Sequence, residues 1–196
     1  GDRIVLVAEN RANWLIADVA TMTAGAITTP AYVTNTEADH LHILDDSDAV
    51  GVIVSTKRLA DRLFPAAHRA DSCKFVITMD RINLSQALNF DLHAWDDVLA
   101  MGQAGHDNMV EAANALSIDD TACIIYTSGT GGKPKGVMLS HKAILHNVAG
   151  AKDALEEIGL GGDVFLSFLP LSHSYEHTAG QFFPITIGAE IYYSEG

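Results

Sequence analysis

Tyr126-Thr-Ser-Gly-Thr-Gly-Gly-Lys-Pro-Lys-Gly-Val137 joins two short apolar runs, residues 121–126 and 137–139, each of strand length. The stretch therefore reads as a strand–turn–strand unit. Its glycines at 129, 131 and 132 permit positive φ and let the backbone approach a ligand with no Cβ between. Thr127, Ser128 and Thr130 add hydroxyl donors, and Lys133 and Lys135 add positive charge on long stems. Successive backbone N–H groups, hydroxyls and a lysine in one short loop form an anion cradle. A polyphosphate is its natural guest, because one tight turn can satisfy many oxygens at once.

Two common phosphate motifs do not fit. Walker A requires Gly-x4-Gly-Lys-Ser/Thr, but counting back from Gly132-Lys133 places Thr127 at the first glycine, and Pro134 replaces the hydroxyl that would hold Mg²⁺. The Rossmann fingerprint fails because its third glycine would fall on Pro134. In both motifs the loop feeds directly into a helix, whereas a short strand intervenes here before Ser140. A glycine-rich loop needs no ligand; hydroxyls, glycines and Lys-Pro-Lys in this order set this one apart.

On either side, short β-branched runs alternate with amphipathic segments. Strands are expected at residues 4–8, 49–55, 74–78, 164–169 and 189–193. A helix from about Asn10 should bury Leu15, Val19 and Met22 and close at Gly25. Another, over 36–47, has Thr36 as N-cap with Asp39 three residues on. Further helices are expected over 57–64, ended by Pro65, over 140–158 and over 175–187. Residues 80–116 are less regular, with helical pieces at 95–101 and 109–116 and a surface connection at 102–108. The fold class is therefore α/β, a mostly parallel sheet flanked by helices. A sub-domain seam is expected within 80–119, if there is one.

The 196 residues are 48% apolar and 19% charged, with a net charge of −13. This composition buries a real core and argues against disorder. The negative charge disfavours wholesale binding to nucleic acid or docking on anionic lipid. Cys73 and Cys123 have neither CxxC nor metal-ligand spacing and read as reduced core residues of a cytoplasmic protein, with a buried disulfide as the alternative. No signal peptide is visible, and the longest mostly apolar stretch, 14–27, is too short to span a bilayer. The chain starts without Met just before a strand and stops just after another, so a piece of a longer protein is expected.

Phe168-Leu-Pro-Leu-Ser-His-Ser-Tyr-Glu-His177 is the second informative stretch. Taken as His173-x-x-Glu176-His177, it matches an H-x-x-E-H zinc pattern, in which two histidines four apart could share one ion with Glu176 as base. The pattern is permissive and no third ligand can be identified, so polar residues fixing a helix start are the better reading, with Glu176 favouring the positive end of the dipole.

The loop at 126–137 resembles the signature loop of the adenylate-forming (AMP-binding) superfamily, which includes acyl-CoA synthetases, luciferases and nonribosomal peptide adenylation domains. Gly131 departs from the family, which more often has Thr or Ser there. Leu-Pro-Leu-Ser-His-Ser-Tyr-Glu is similar to the LPLSHxxE segment of long-chain fatty acyl-CoA synthetases, and Gly1–Trp14 and Thr23–Tyr32 resemble the family's first strand–helix–strand unit. The resemblance implies that residues 1–196 belong to the large N-terminal domain of an acyl-CoA synthetase-like enzyme. It implies conversion of a fatty acid to acyl-adenylate and then acyl-CoA, with ATP, Mg²⁺ and CoA. Thr127, Ser128, Gly129, Thr130, Gly131, Gly132 and Lys135 would hold the phosphates and His173 would orient the acyl carboxylate, with metal ligands unassigned. The same resemblance implies small-molecule partners, a cytoplasmic enzyme with peripheral membrane contact, a homodimer, and an inactive isolated fragment. The alternatives are another adenylate-former, an HxxEH zinc peptidase, or a non-catalytic nucleotide-binding module.

Overall fold

The computed structural model describes residues 1–82, 88–105, 109–128 and 132–194. Nine strands are present among them: β1 (Arg3–Val7), β2 (Ile27–Pro30), β3 (Gly51–Val54), β4 (Phe75–Thr78), β5 (Asp91–Ala94), β6 (Thr121–Thr127), β7 (Lys135–Ser140), β8 (Val164–Ser167) and β9 (Glu190–Tyr193). The helices are α1 (Ala12–Thr23), α2 (Glu37–Ser47), α3 (Lys57–Arg69), α4 (Trp95–Ala104), α5 (Met109–Asn114), α6 (His141–Leu155) and α7 (Phe183–Ile187), with a π-helical segment over Glu176–Phe182 leading into α7.

Seven strands form one sheet in the order β5-β4-β3-β1-β2-β6-β7. All pairs are parallel except β6–β7, which is antiparallel. The expected mostly parallel sheet is thus present. The chain moves from β1 to β2 in one direction, then back across β1 to β3 and on to β4. Crossovers of one hand must then place α1 on one face and α2 and α3 on the other. The period-two alternation of β1 fits this. Val5 and Val7 pack with Ile43, Leu59 and Leu63, while Ile4 and Leu6 pack with Trp14 and Ala17.

Several local expectations are corrected. Helix α1 buries Trp14, Ala17, Asp18, Thr21 and Met22, whereas Leu15 is half-buried and Val19 is exposed. The row set by Trp14 wins because the polar Asp18 and Thr21 are interior. Helix α3 does not stop at Pro65 but runs to Arg69. Pro65 lies on the solvent side, where water can serve the Asp61 carbonyl that loses its N–H partner, while Ala66 and Ala67 opposite are fully buried. Strand β5, absent from the expectation, carries the weakly apolar Asp-Leu-His-Ala and adds to β4 as an edge. Strands β8 and β9 leave the main sheet and form a parallel pair of their own.

Other readings hold. Thr36 caps α2 through a capping box, with its N–H donating to Asp39 Oδ2 at 2.9 Å and the Asp39 N–H donating to Thr36 Oγ1 at 3.3 Å. Ser140 caps α6. Cys73 and Cys123 are free and buried, and burial pushes their thiols up to about 11 and about 12. Among the described residues, no helix is long and apolar enough to cross a membrane.

Candidate functional site

The glycine-rich turn leaves the sheet at the C-terminal end of β6, the edge where open parallel sheets collect ligands. Thr127, Ser128, Lys133 and Lys135 are exposed there. Gly132 sits at φ 139°, a conformation that side chains other than glycine resist. Gly129, Thr130 and Gly131 lie outside the described residues.

Helix α2 grips both flanks of this turn. At its start, the Tyr126 hydroxyl donates to Asp46 Oδ2 at 2.7 Å. At its exit, His42 Nε2 lies 2.8 Å from the Pro134 carbonyl oxygen and, as donor, must carry the proton on that nitrogen. His42 and Asp46 are one helical turn apart, and the His42 ring also meets Tyr126 edge-on, with centroids 6.0 Å apart. Burial raises the Tyr126 phenol above its ordinary value, and the bond to Asp46 adds to the rise. A pocket of about 200 Å³ lies against this flank, lined by Tyr32, Asn35, Asp39, Tyr126, Ser128 and Pro134. A wider groove of about 780 Å³ runs between α2 and Lys133.

His173 is exposed on a turn between β8 and the π-helical segment. Its backbone N–H donates to the Pro170 carbonyl at 2.9 Å. Its Nδ1 accepts the Tyr175 N–H at 3.2 Å, so the ring proton belongs on Nε2. Asn10, which follows β1, donates from Nδ2 to the Leu169 carbonyl at 2.7 Å. That bond sets the His173 turn at the C-terminal edge of the main sheet. β1 and β6 are separated by β2 alone, so the strands that lead to the two motifs stand two spacings apart, about 10 Å.

The zinc pattern is not realised. His177 is fully buried with Nε2 3.0 Å from Asp18 Oδ2, and its ring packs edge-on to Trp14 and Phe182. His173 stays outside. Among the described residues, no group of three or more His, Cys, Asp or Glu could hold a metal ion.

The β1–β3 junction, where the chain reverses direction across the sheet, is filled by Glu9. Its carboxylate accepts bonds from the Ser55 hydroxyl, from Thr56 Oγ1 at 3.3 Å and from Arg58 at 2.9 Å. Burial would raise this carboxyl, but the Ser55, backbone and Arg58 bonds outweigh it and hold it below the usual range. Sequence reading missed Glu9, Asn10, Asp18, His42 and Asp46. Glu9 and Asn10 lie inside the Gly1–Trp14 stretch and Asp18 inside the apolar stretch 14–27, but no local signal gave any of the five a partner.

The AMP-binding enzyme family matches over residues 1–196. The chloroplastic long-chain-fatty-acid–acyl-carrier-protein ligase AEE15 of Arabidopsis thaliana is 30% identical over 203 residues, covering 98% of this chain and 28% of its own. The long-chain-fatty-acid–CoA ligase FadD15 of Mycobacterium tuberculosis is 30% identical over 174 residues, with 88% and 28% covered. The chain thus spans about 28% of the length of these relatives. Among solved structures, the A-PCP didomain of carboxylic acid reductase from Segniliparus rugosus in complex with AMP superposes with a TM-score of 0.81 at 20% identity, covering 98% of this chain and 29% of that one. ATP-bound MatB from Rhodopseudomonas palustris gives 0.70 at 23% identity, with 98% and 35% covered. At these identities the likeness establishes the fold.

Proposed function

This chain belongs to the AMP-binding enzyme family, and we propose that the whole protein is an ATP-dependent ligase that activates a long-chain fatty acid. Residues 1–196 would form part of its nucleotide-binding N-terminal domain. The observation that carries this reading is the donor-rich turn after β6, held at both flanks by α2, on the same sheet edge as His173. The substrate class is supported by the relatives, both of them long-chain-fatty-acid ligases.

In the first step a carboxylate oxygen attacks the α-phosphorus of ATP, and the bond to pyrophosphate breaks with its electron pair leaving on pyrophosphate. No proton need move, so catalysis consists of positioning and charge stabilisation. Thr127, Ser128 and the backbone N–H groups of 129–132 hold the β- and γ-phosphates, and Lys135 offsets the charge growing on the leaving pyrophosphate. Mg²⁺, when bound, would offset the negative charge of the phosphates; no residue of this chain is assigned to it. With Nδ1 occupied by the Tyr175 N–H, His173 presents an Nε2–H that can donate to the carboxylate or to an α-phosphate oxygen. In the second step a thiolate attacks the acyl carbonyl and AMP departs. CoA is the acceptor proposed. A carrier-protein thiol is the second reading, favoured by the acyl-carrier-protein specificity in the name of AEE15. A lipid substrate also fits a cytoplasmic enzyme in peripheral contact with membrane.

The test is fatty-acid-dependent exchange of labelled pyrophosphate into ATP by the intact protein. Lys135→Ala should cut exchange on the order of 100-fold. His173→Ala should raise the fatty-acid KM or lower kcat while leaving the ATP KM in place. Exchange that ignores Lys135→Ala would remove the loop assignment, and absence of exchange with any fatty acid would remove the substrate class.

A further inference from the structure

The turn that carries His173 is tied across its base by a hydrogen-bonded chain reaching from another part of the molecule. Ser167, the last residue of β8, donates from Oγ to Glu176 Oε1 at 2.7 Å, closing the two ends of the turn on each other. Asn10 Nδ2 lies 3.2 Å from the same Ser167 oxygen and donates to the Leu169 carbonyl at 2.7 Å. Ser167 and Glu176 are 1% and 5% exposed, so an acid has been taken out of water at this point. Burying a carboxyl group is costly unless it is hydrogen-bonded, and here the Ser167 hydroxyl supplies a bond. Space has been cleared for it as well: a Cβ on Gly180 would sit 2.5 Å from the Glu176 carboxyl carbon. Within the turn, Leu171 is buried beside Trp14, while His173 is exposed together with Ser174 and Tyr175, and its Nδ1 accepts the Tyr175 N–H.

We infer that Asn10 and Glu176 are positioning residues for His173, holding the 168–175 turn in the one conformation that aims the His173 Nε2–H at the reacting carboxylate. The inference rests on the reading of His173 given above. Glu176 is buried and acts through the turn it ties. Glu176 is needed as a hydrogen-bond acceptor and not as a charge, and Asn10 is needed as a donor to Leu169. Misplacement of a reacting group by about 1 Å costs up to 100-fold in rate.

The experiment is a double-mutant cycle in the intact enzyme, read as kcat/KM for fatty acid and, separately, KM for ATP in pyrophosphate exchange. Glu176→Ala should lower kcat/KM for fatty acid about 10- to 100-fold and leave the ATP KM unchanged. Glu176→Gln, which keeps an acceptor for Ser167, should restore it. In a His173→Ala background the Glu176→Ala penalty should vanish, because there is no longer an imidazole to aim. Asn10→Ala reads the same coupling from a half-buried position and frees the exposed Leu169 carbonyl to bond water, and so answers even if Glu176→Ala does not fold. A penalty of equal size in both backgrounds, a matching rise in ATP KM, or no penalty at all would overturn the positioning role. A His173→Ala variant with wild-type kinetics would instead overturn the reading of His173, a separate and recognisable failure.

Discussion

His42 Nε2 lies 2.8 Å from the carbonyl oxygen of Pro134, so a helix that belongs to the first strand–helix units of the chain holds the exit of a turn more than ninety residues further on. One helical turn along, Asp46 holds the turn's start through Tyr126. His42→Ala should loosen the exit without touching the fatty-acid side. The expected result is a rise in ATP KM of about 2- to 10-fold, the worth of one hydrogen bond, at unchanged fatty-acid KM in pyrophosphate exchange.

Tyr126 makes a separate prediction in pH. Its folded-state pKa is raised above the ordinary 10.0, first by burial and then by Asp46. The folded state therefore keeps the phenolic proton longer than the unfolded state. The associated stability is fully present below pH 10 and is lost as pH rises toward the folded value. Urea midpoints measured from pH 8 to 11 should fall above pH 10 in the wild type, and that part of the fall should be missing in Tyr126→Phe.

His40 acts at the acid end. It is buried in the α2 face, and desolvation lowers its pKa from 6.5 to about 4, against the pull of Asp39. The unfolded chain binds this proton first, so stability is whole above pH 6.5 and declines as pH falls toward 4. His40→Leu should flatten the decline between pH 6.5 and 4 in urea titrations. It should do so without loss at pH 8, since the Nδ1 it removes has no hydrogen-bond partner among the described residues.

Asp18 and His177 are both fully buried, 3.0 Å apart, and join α1 to the π-helical segment. Removing one partner leaves the other without compensation. His177→Ala is expected to cost about 3–5 kcal/mol in chemical denaturation. Asp18→Leu combined with His177→Phe should recover most of that loss. A pair of single variants that are additive in the double variant would contradict the coupling.

The elements and the glycine-rich turn were legible because their signals are local. The hydroxyls, glycines and lysines of 127–135 lie within one turn of chain, and their chemistry requires no distant partner. The capping box of Thr36 and Asp39 spans three residues, and the sheet's parallel character follows from apolar strands alternating with amphipathic helices. Pro65 misled because its local effect is real, yet here it falls on the solvent side of a helix whose other side is buried alanine.

What the order of residues could not disclose was the pairing of groups far apart along it. Asp18 is a lone charge-bearing side chain in the apolar stretch 14–27 until His177, 159 residues away, supplies its partner, and the buried face of α1 lies on its side and away from Val19. His177 likewise resembled a metal ligand until the fold turned it inward. Local propensity and short-range chemistry are written residue by residue, and so the α/β class and the place of the glycine-rich turn between two strands could be read directly. Burial of a charge depends on which distant group arrives to meet it, and only folding in three dimensions brings Asn10, Ser167 and Glu176 into one chain of hydrogen bonds beneath His173.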